Sequence, residues 1–390
     1  MRVKELTAWQ VRVPLKKPIQ HASHTRTDTD NVIVRCVLDD GTEGYGEGVP
    51  RDYVTGETVD SALHLLRHSE LAAQMPNCGS FADAVASVER LVLAPIEGDE
   101  RGCRGNAARC ALELALLDAY GKHFHTPLST VTQLLAPELY EPRKHVRYSG
   151  AITSAQGRKV RFQAWKMWVY GFRQLKVKVG IVGQNDVDRL GAIRRRVGRR
   201  MDLRIDANEA WTPANAGARI AALKPFGISA VEQPVPHADS GALAEVRRAV
   251  GVPIMLDESL CSPLDAERAV TTSSCDLFNL RLSKCGGFIG ALRLAEFARR
   301  NGLGYQLGCQ IGETAILSAA GRHFAASVRD IRYVEGSYDR HLVKEALGRT
   351  DITFGWGGWA PALRGPGLDV AVDPLALERI SVRKEVLLGG

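Results

Sequence analysis

Between residues 173 and 308 the chain repeats one pattern: a short apolar run that ends in a charged residue, a turn, and a helical stretch. Lys178 closes Leu175-Lys176-Val177-Lys178, Asp206 closes Leu203-Arg204-Ile205-Asp206, Glu232 follows Ser229-Ala230-Val231, Asp257 follows Pro253-Ile254-Met255-Leu256, and Lys284 follows the run 277–283. Successive charged ends lie 25 to 28 residues apart, which accommodates one strand, one helix and two connections. Charged side chains at the carboxyl ends of five consecutive strands point to a (β/α)8 TIM-type barrel, the fold that builds its active site there. Strand patterns near 145–152, 173–179, 201–206, 229–233, 253–257, 276–283, 303–308 and 331–336 supply the eight strands. Helical patterns near 155–170, 185–198, 213–225, 239–250, 263–272, 288–301 and 314–327 alternate with them. An open doubly wound sheet would carry a glycine-rich phosphate turn after its first strand, and the sequence has none.

The barrel pattern occupies residues 140–350. Residues 1–130 read as an α+β unit, with strands at 3–13 and 31–48 that include a hairpin turn at Asp39-Asp40-Gly41-Thr42, then helices at 57–73, 80–95 and 105–123. Two polar loops, 19–28 and 50–57, interrupt it. Residues 351–390 show strand patterns near 368–372 and 378–383 and are expected to return to the first unit and complete it. Hydrophobic residues at 45%, charged residues at 24% and a net charge of +7 fit a globular protein that favours small anionic substrates. Arg194-Arg195-Arg196 with Arg199-Arg200 reads as the solvated face of a helix, so no nucleic acid partner is expected. The eight cysteines show no paired spacing, and no signal peptide or membrane span is read, so a reducing cytoplasm is the expected setting. Cys285 beside Lys284 reads as a packing residue, with no histidine placed to activate it.

Asp206, Glu232 and Asp257 come from three adjacent strands, so their carboxylates can converge. Three such charges repel unless a cation lies among them. Mg²⁺ suits a site of oxygen ligands, with Mn²⁺ able to replace it. Lys176 and Lys178 precede the triad and share one face of their strand, and Lys284 follows it. A lysine serves as a base once its pKa falls towards neutrality, and a neighbouring lysine and a dication both push it that way. The arrangement suits abstraction of a proton α to a carboxylate, with the metal stabilising the enediolate. Two lysines on opposite faces could serve a racemase or epimerase; alternatively one moves the proton and the other steadies the charge.

The Lys-x-Lys strand, Asp206-Ala207-Asn208, Val231-Glu232-Gln233-Pro234, Leu256-Asp257-Glu258-Ser259 and Ser283-Lys284-Cys285-Gly286-Gly287 together resemble the enolase superfamily. Within it they resemble the muconate lactonizing enzyme (muconate cycloisomerase) subgroup, and the opening unit is similar to that family's capping domain. The resemblance implies Mg²⁺, Lys178 as general base, Lys284 opposite it, and Lys176 near the substrate carboxylate. It implies supporting roles for Asn208 and Glu258, and cap loops around His24 and around Arg51-Asp52-Tyr53 that close over the substrate. Dipeptide epimerases of this subgroup carry an Asp-x-Asp pair at the eighth strand; here Glu335 stands for the first acid and Ser337 departs from the second. Glu313 is either matched with a glutamate of the cycloisomerases or read as an acid favoured at a helix N-terminus. The expected function is enolisation of a small carboxylate by an isomerase, of muconate cycloisomerase type or an epimerase or racemase of dipeptides or N-acylamino acids. The alternatives are a lyase of the o-succinylbenzoate synthase type and a silent barrel that binds an anion. A homo-oligomer is expected, as such barrels often assemble.

Overall fold

Odd-numbered residues of Val11-Arg12-Val13-Pro14-Leu15 are buried, as a half-buried strand requires. They belong to β1 (Val3–Gln20), which pairs antiparallel with β2 (Thr25–Leu38), and β2 pairs with β3 (Glu43–Gly48). The computed structural model describes residues 1–20, 25–75 and 77–389. His24 lies outside them. The first polar loop is shorter than its composition suggests: β1 and β2 still pair at Ile19 with Arg26, so the strands continue through most of it.

Helix Asn106–His123 packs on β3 with backbone almost touching backbone. Gly44, Gly46 and Gly48 face Ala107, Ala111, Ala115 and Ala119, and a Cβ on Gly46 would sit 2.0 Å from the Ala111 carbonyl oxygen. Gly46→Ala should therefore destabilise the chain by about 1–3 kcal/mol, the usual cost of overpacking a core. Urea unfolding checks this, and an unchanged midpoint at constant slope would refute the close approach.

The barrel strands are β5 (Gly150–Ile152), β6 (Gln174–Lys178), β7 (Asp202–Asp206), β8 (Ile228–Glu232), β9 (Ile254–Leu256), β10 (Leu277–Leu280), β11 (Gly304–Leu307) and β12 (Ile331–Val334). They form one parallel sheet in chain order. The Ser149 amide donates to the Val334 carbonyl at 2.8 Å and joins its two edges. Ala230, Met255, Leu277 and Tyr333 form a separate buried cluster within the barrel. Charged and amide side chains, among them Lys176, Arg204, Glu232, Asn279, Gln306 and Glu335, are buried with them.

Several boundaries differ from the sequence pattern. The stretch 145–152 is two strands: β4 (His145–Arg147) pairs with β13 (Trp359–Pro361), and only β5 enters the barrel. The backbone changes partner at Tyr148, whose amide donates to the Gly358 carbonyl at 2.7 Å. The pattern at 57–73 breaks into Val59–His68 and a turn at Leu71–Gln74, because the Ser69 hydroxyl caps the Leu65 carbonyl at 2.6 Å. Near the C-terminus, 368–372 forms no strand of its own, and 378–380 is the end of helix Pro374–Ile380. Asp373 caps that helix through the Leu375 amide, and Pro374 fits its first turn. The returning strand is β14 (Ser381–Leu388), which pairs with β1 and completes the cap sheet in the order β14-β1-β2-β3.

The cap and barrel share buried polar groups. Glu47 of β3 accepts from the Thr314 and Leu317 amides at 3.0 and 3.1 Å, at the start of barrel helix Ala315–Ser327, and from the Thr314 hydroxyl at 2.8 Å. Asn31 donates to Glu47 at 2.7 Å and to the Gly312 carbonyl at 2.9 Å. Among the described residues no cysteines form a disulfide, and no helix is long and apolar enough to cross a membrane.

Candidate active site

The carboxyl ends of the barrel strands and the cap enclose a cavity of about 340 Å³. Arg51 and Tyr53 line its cap side, and Lys176, Lys178, Asp206, Asn208, Glu258, Arg281 and Glu335 line its barrel side. Sheet register brings the first groups together, since Lys178 pairs with Asp206 and Asp206 with Glu232. Asp257 follows β9, the next strand.

Lys176 is the hub. Its ammonium donates to Glu335 Oε2 at 2.9 Å and to Glu232 Oε1 at 3.3 Å, and it lies 3.3 Å from Asp206 Oδ2. Burial opposes its charge, but Glu232, Glu335 and Asp206 outweigh burial and raise its pKa well above the ordinary lysine value. Lys176 is therefore a fixed cation. Arg204, beside it on β7, donates to Glu335 Oε1 at 2.5 Å and lies over the Tyr333 ring, 4.4 Å from its centroid. Burial also opposes the charge of Glu335, yet Lys176 and Arg204 hold its carboxyl down at about 2. Glu232 accepts from Asn279 at 2.8 Å, and burial holds it above the usual carboxylate range. Among the described residues, the Lys178 ammonium has no hydrogen-bond or ion-pair partner.

Lys284 does not take the place expected for it. Its ammonium donates to the Asp257 and Asn279 carbonyls at 2.6 and 2.8 Å and to Asp257 Oδ1 at 3.0 Å, and it is 1% exposed. It lies behind the cavity wall. β10 ends at Leu280, so the charged residue that enters the cavity is Arg281. Its guanidinium pairs with Asp257 and lies 3.8 Å from Glu232. Burial raises the Asp257 carboxyl, but Arg281 and Lys284 outweigh it and hold the group at about 2.

The carboxylates suit a hard divalent cation in chemistry: all three offer oxygen, and Asp206 Oδ2 is buried without a hydrogen bond. Among the described residues no three ligating side chains stand in a finished metal cluster, because Arg281 and Lys284 engage Asp257. The donor atoms are of the kind such an ion takes, and here they are paired with cationic side chains: Asp206 and Glu232 with Lys176, Asp257 with Arg281 and Lys284.

Residues 3–135 match the family described as Mandelate racemase / muconate lactonizing enzyme, N-terminal domain, and residues 159–376 match Enolase C-terminal domain-like. The chain belongs to the mandelate racemase/muconate lactonizing enzyme family of the enolase superfamily. The N-succinyl-L-Arg/Lys racemase of Bacillus cereus is 29% identical over 392 residues, spanning 99% of this chain and 100% of the relative. The L-Ala-D/L-Glu epimerase of Bacillus subtilis is 32% identical over 335 residues, 85% of this chain and 87% of its own. A solved dipeptide epimerase from Cytophaga hutchinsonii, complexed with Mg and the dipeptide D-Ala-L-Val, superposes with a TM-score of 0.84 at 28% identity, covering 99% of this chain and 100% of that one.

Within this enolase-superfamily frame, the remaining expected residues divide. Asn208 donates to Glu258 at 3.4 Å, and both line the cavity. Arg51 donates to the Ile311 carbonyl at 2.9 Å and to the Thr29 hydroxyl, tying the cap to the barrel at the cavity rim. Tyr53 lies under the Arg26 guanidinium, 5.4 Å from it. Glu313 is not in the cavity wall: its carboxylate accepts from the Gln310 amide at 2.6 Å and closes the turn after β11. Tyr338 and His341 line the cavity and escaped the sequence reading, because they follow the last barrel strand in a helical turn with no motif.

Proposed function

We propose that the protein enolises the α-carbon of an N-acylated amino acid, with Lys178 as the base and a divalent cation, Mg²⁺ for preference, held by Asp206, Glu232 and Asp257. The observation that carries the reading is the unpartnered Lys178 ammonium in the same cavity wall as Asp206 and the fixed cation Lys176. The relatives named above are a racemase of succinylated amino acids and an epimerase of a dipeptide, which supports an amino-acid derivative as the substrate class.

When bound, the metal would supply Lewis-acid stabilisation of the carboxylate as its charge grows. Lys178, once neutral, takes the α-proton. Lys176 stays charged and offsets the negative charge that develops beside it. Glu335 is committed to Lys176 and Arg204, and the Ser337 hydroxyl donates to the Ile352 carbonyl at 2.8 Å. Neither offers a free carboxylate for a substrate ammonium, which favours an acylated amino group over the free amine of a dipeptide.

The test is proton NMR in D₂O with N-succinyl-L-lysine and L-Ala-L-Glu, with Mg²⁺ and then with chelator. Exchange of the α-proton of the succinyl compound that stops on chelation is expected. No exchange with either probe, while calorimetry records bound Mg²⁺, would remove the reading.

A further inference from the structure

We propose that this site moves the α-proton on one face of the substrate only, because the group opposite Lys178 is Arg281. The inference rests on the enolisation reading and concerns its stereochemical outcome. β6 and β10 are four strands apart in the eight-stranded curled sheet, so Lys178 and Arg281 enter from opposite sides. Arg281 Nε is buried without a hydrogen-bond partner in the described residues. A guanidinium stays protonated in proteins, so it donates hydrogen bonds to a growing negative charge but accepts no proton.

The lysine that sequence spacing suggests for that side is spent. Lys284 has three N–H donors and three acceptors, the Asp257 carbonyl, Asp257 Oδ1 and the Asn279 carbonyl. Tyr338 and His341 follow β12, whose edge joins β5 next to β6, so they stand on the Lys178 half. Among the described residues lining the cavity, Glu258 and Cys309, which follow the two strands flanking β10, are the carboxyl and thiol groups on the Arg281 side.

The step balances without a co-reactant. Neutral Lys178 takes the α-proton and becomes an ammonium, while the C–H electron pair passes into the enediolate. The ammonium then exchanges with solvent and returns a proton to the same face, regenerating the amine. The product is the starting enantiomer, isotopically labelled. Inversion would need a proton from the Arg281 side.

The enzyme with Mg²⁺ in D₂O is given N-succinyl-L-lysine and N-succinyl-D-lysine separately. NMR follows loss of the α-proton and chiral chromatography follows inversion. One enantiomer should exchange, with inversion slower by at least about 100-fold, the factor a positioned acid–base group supplies. Arg281→Lys should raise inversion relative to exchange; if that variant does not fold, the wild-type ratio decides alone. Wild-type inversion as fast as exchange overturns the one-face proposal and leaves enolisation standing. Its loss in Glu258→Gln or Cys309→Ala would then name the second group. No exchange of either enantiomer fells the enolisation reading, and this inference with it.

Discussion

Lys178→Ala is expected to lower α-proton exchange by about 10²- to 10⁴-fold, the share of a barrier that positioned general bases supply. The side chain holds nothing else in place. Its ammonium has no partner among the described residues, whereas Lys176 two residues earlier is bound by three carboxylates. Removing Lys178 therefore leaves the buried network intact, and fold and Mg²⁺ affinity are expected to persist. Exchange is read by NMR in D₂O, fold by circular dichroism and metal by calorimetry. A variant that exchanges at the wild-type rate would show that another group takes the proton. Loss of fold along with exchange would instead show a structural duty the geometry does not contain.

Arg204→Ala destabilises the chain by about 3–5 kcal/mol, the usual penalty for removing one partner of a buried ion pair. Arg204 is 1% exposed, donates to Glu335 and to the Ser149 hydroxyl at 3.2 Å, and covers the Tyr333 ring. Without it Glu335 keeps only Lys176, and Tyr333 faces a void. Arg204→Met fills most of that volume but leaves Glu335 Oε1 unpaired, so it should recover part of the loss. Urea unfolding of both variants separates the packing share from the ionic one. A loss below about 1 kcal/mol for the alanine variant would mean that water reaches Glu335 and solvates it, as at an exposed pair.

The barrel was legible because its signal is local and repeated: five consecutive strand patterns end in a charged residue, and each interval holds one strand and one helix. Lys176, Asp206 and Glu232 meet at adjacent strand ends, where the alternation of their strand patterns put them. Arg281 was missed for a physical reason. The strand β10 stops at Leu280, but the apolar residue Leu282 lets the pattern be read further, to the next lysine. Only the fold shows that the backbone has turned by then and that Lys284 points into the protein. The split of 145–152 depends on pairing with residues 359–361, more than two hundred positions away, which no local pattern carries. Glu313 was ambiguous in sequence because an acid before a helix and an acid in a site look alike.

Glu47 has a consequence for how such proteins diverge. It is a residue of the cap, yet its carboxylate satisfies the first amides of a barrel helix, with Asn31 fixing its position. The loop that brings Arg51 and Tyr53 to the cavity wall follows β3 of the same sheet. A cap recombined from a relative would bring new specificity only if it also brought an acceptor for those amides. Otherwise the barrel would inherit unsatisfied buried donors at the cost of a lost hydrogen bond each. Specificity can thus drift within the loops more easily than it can be exchanged as a module.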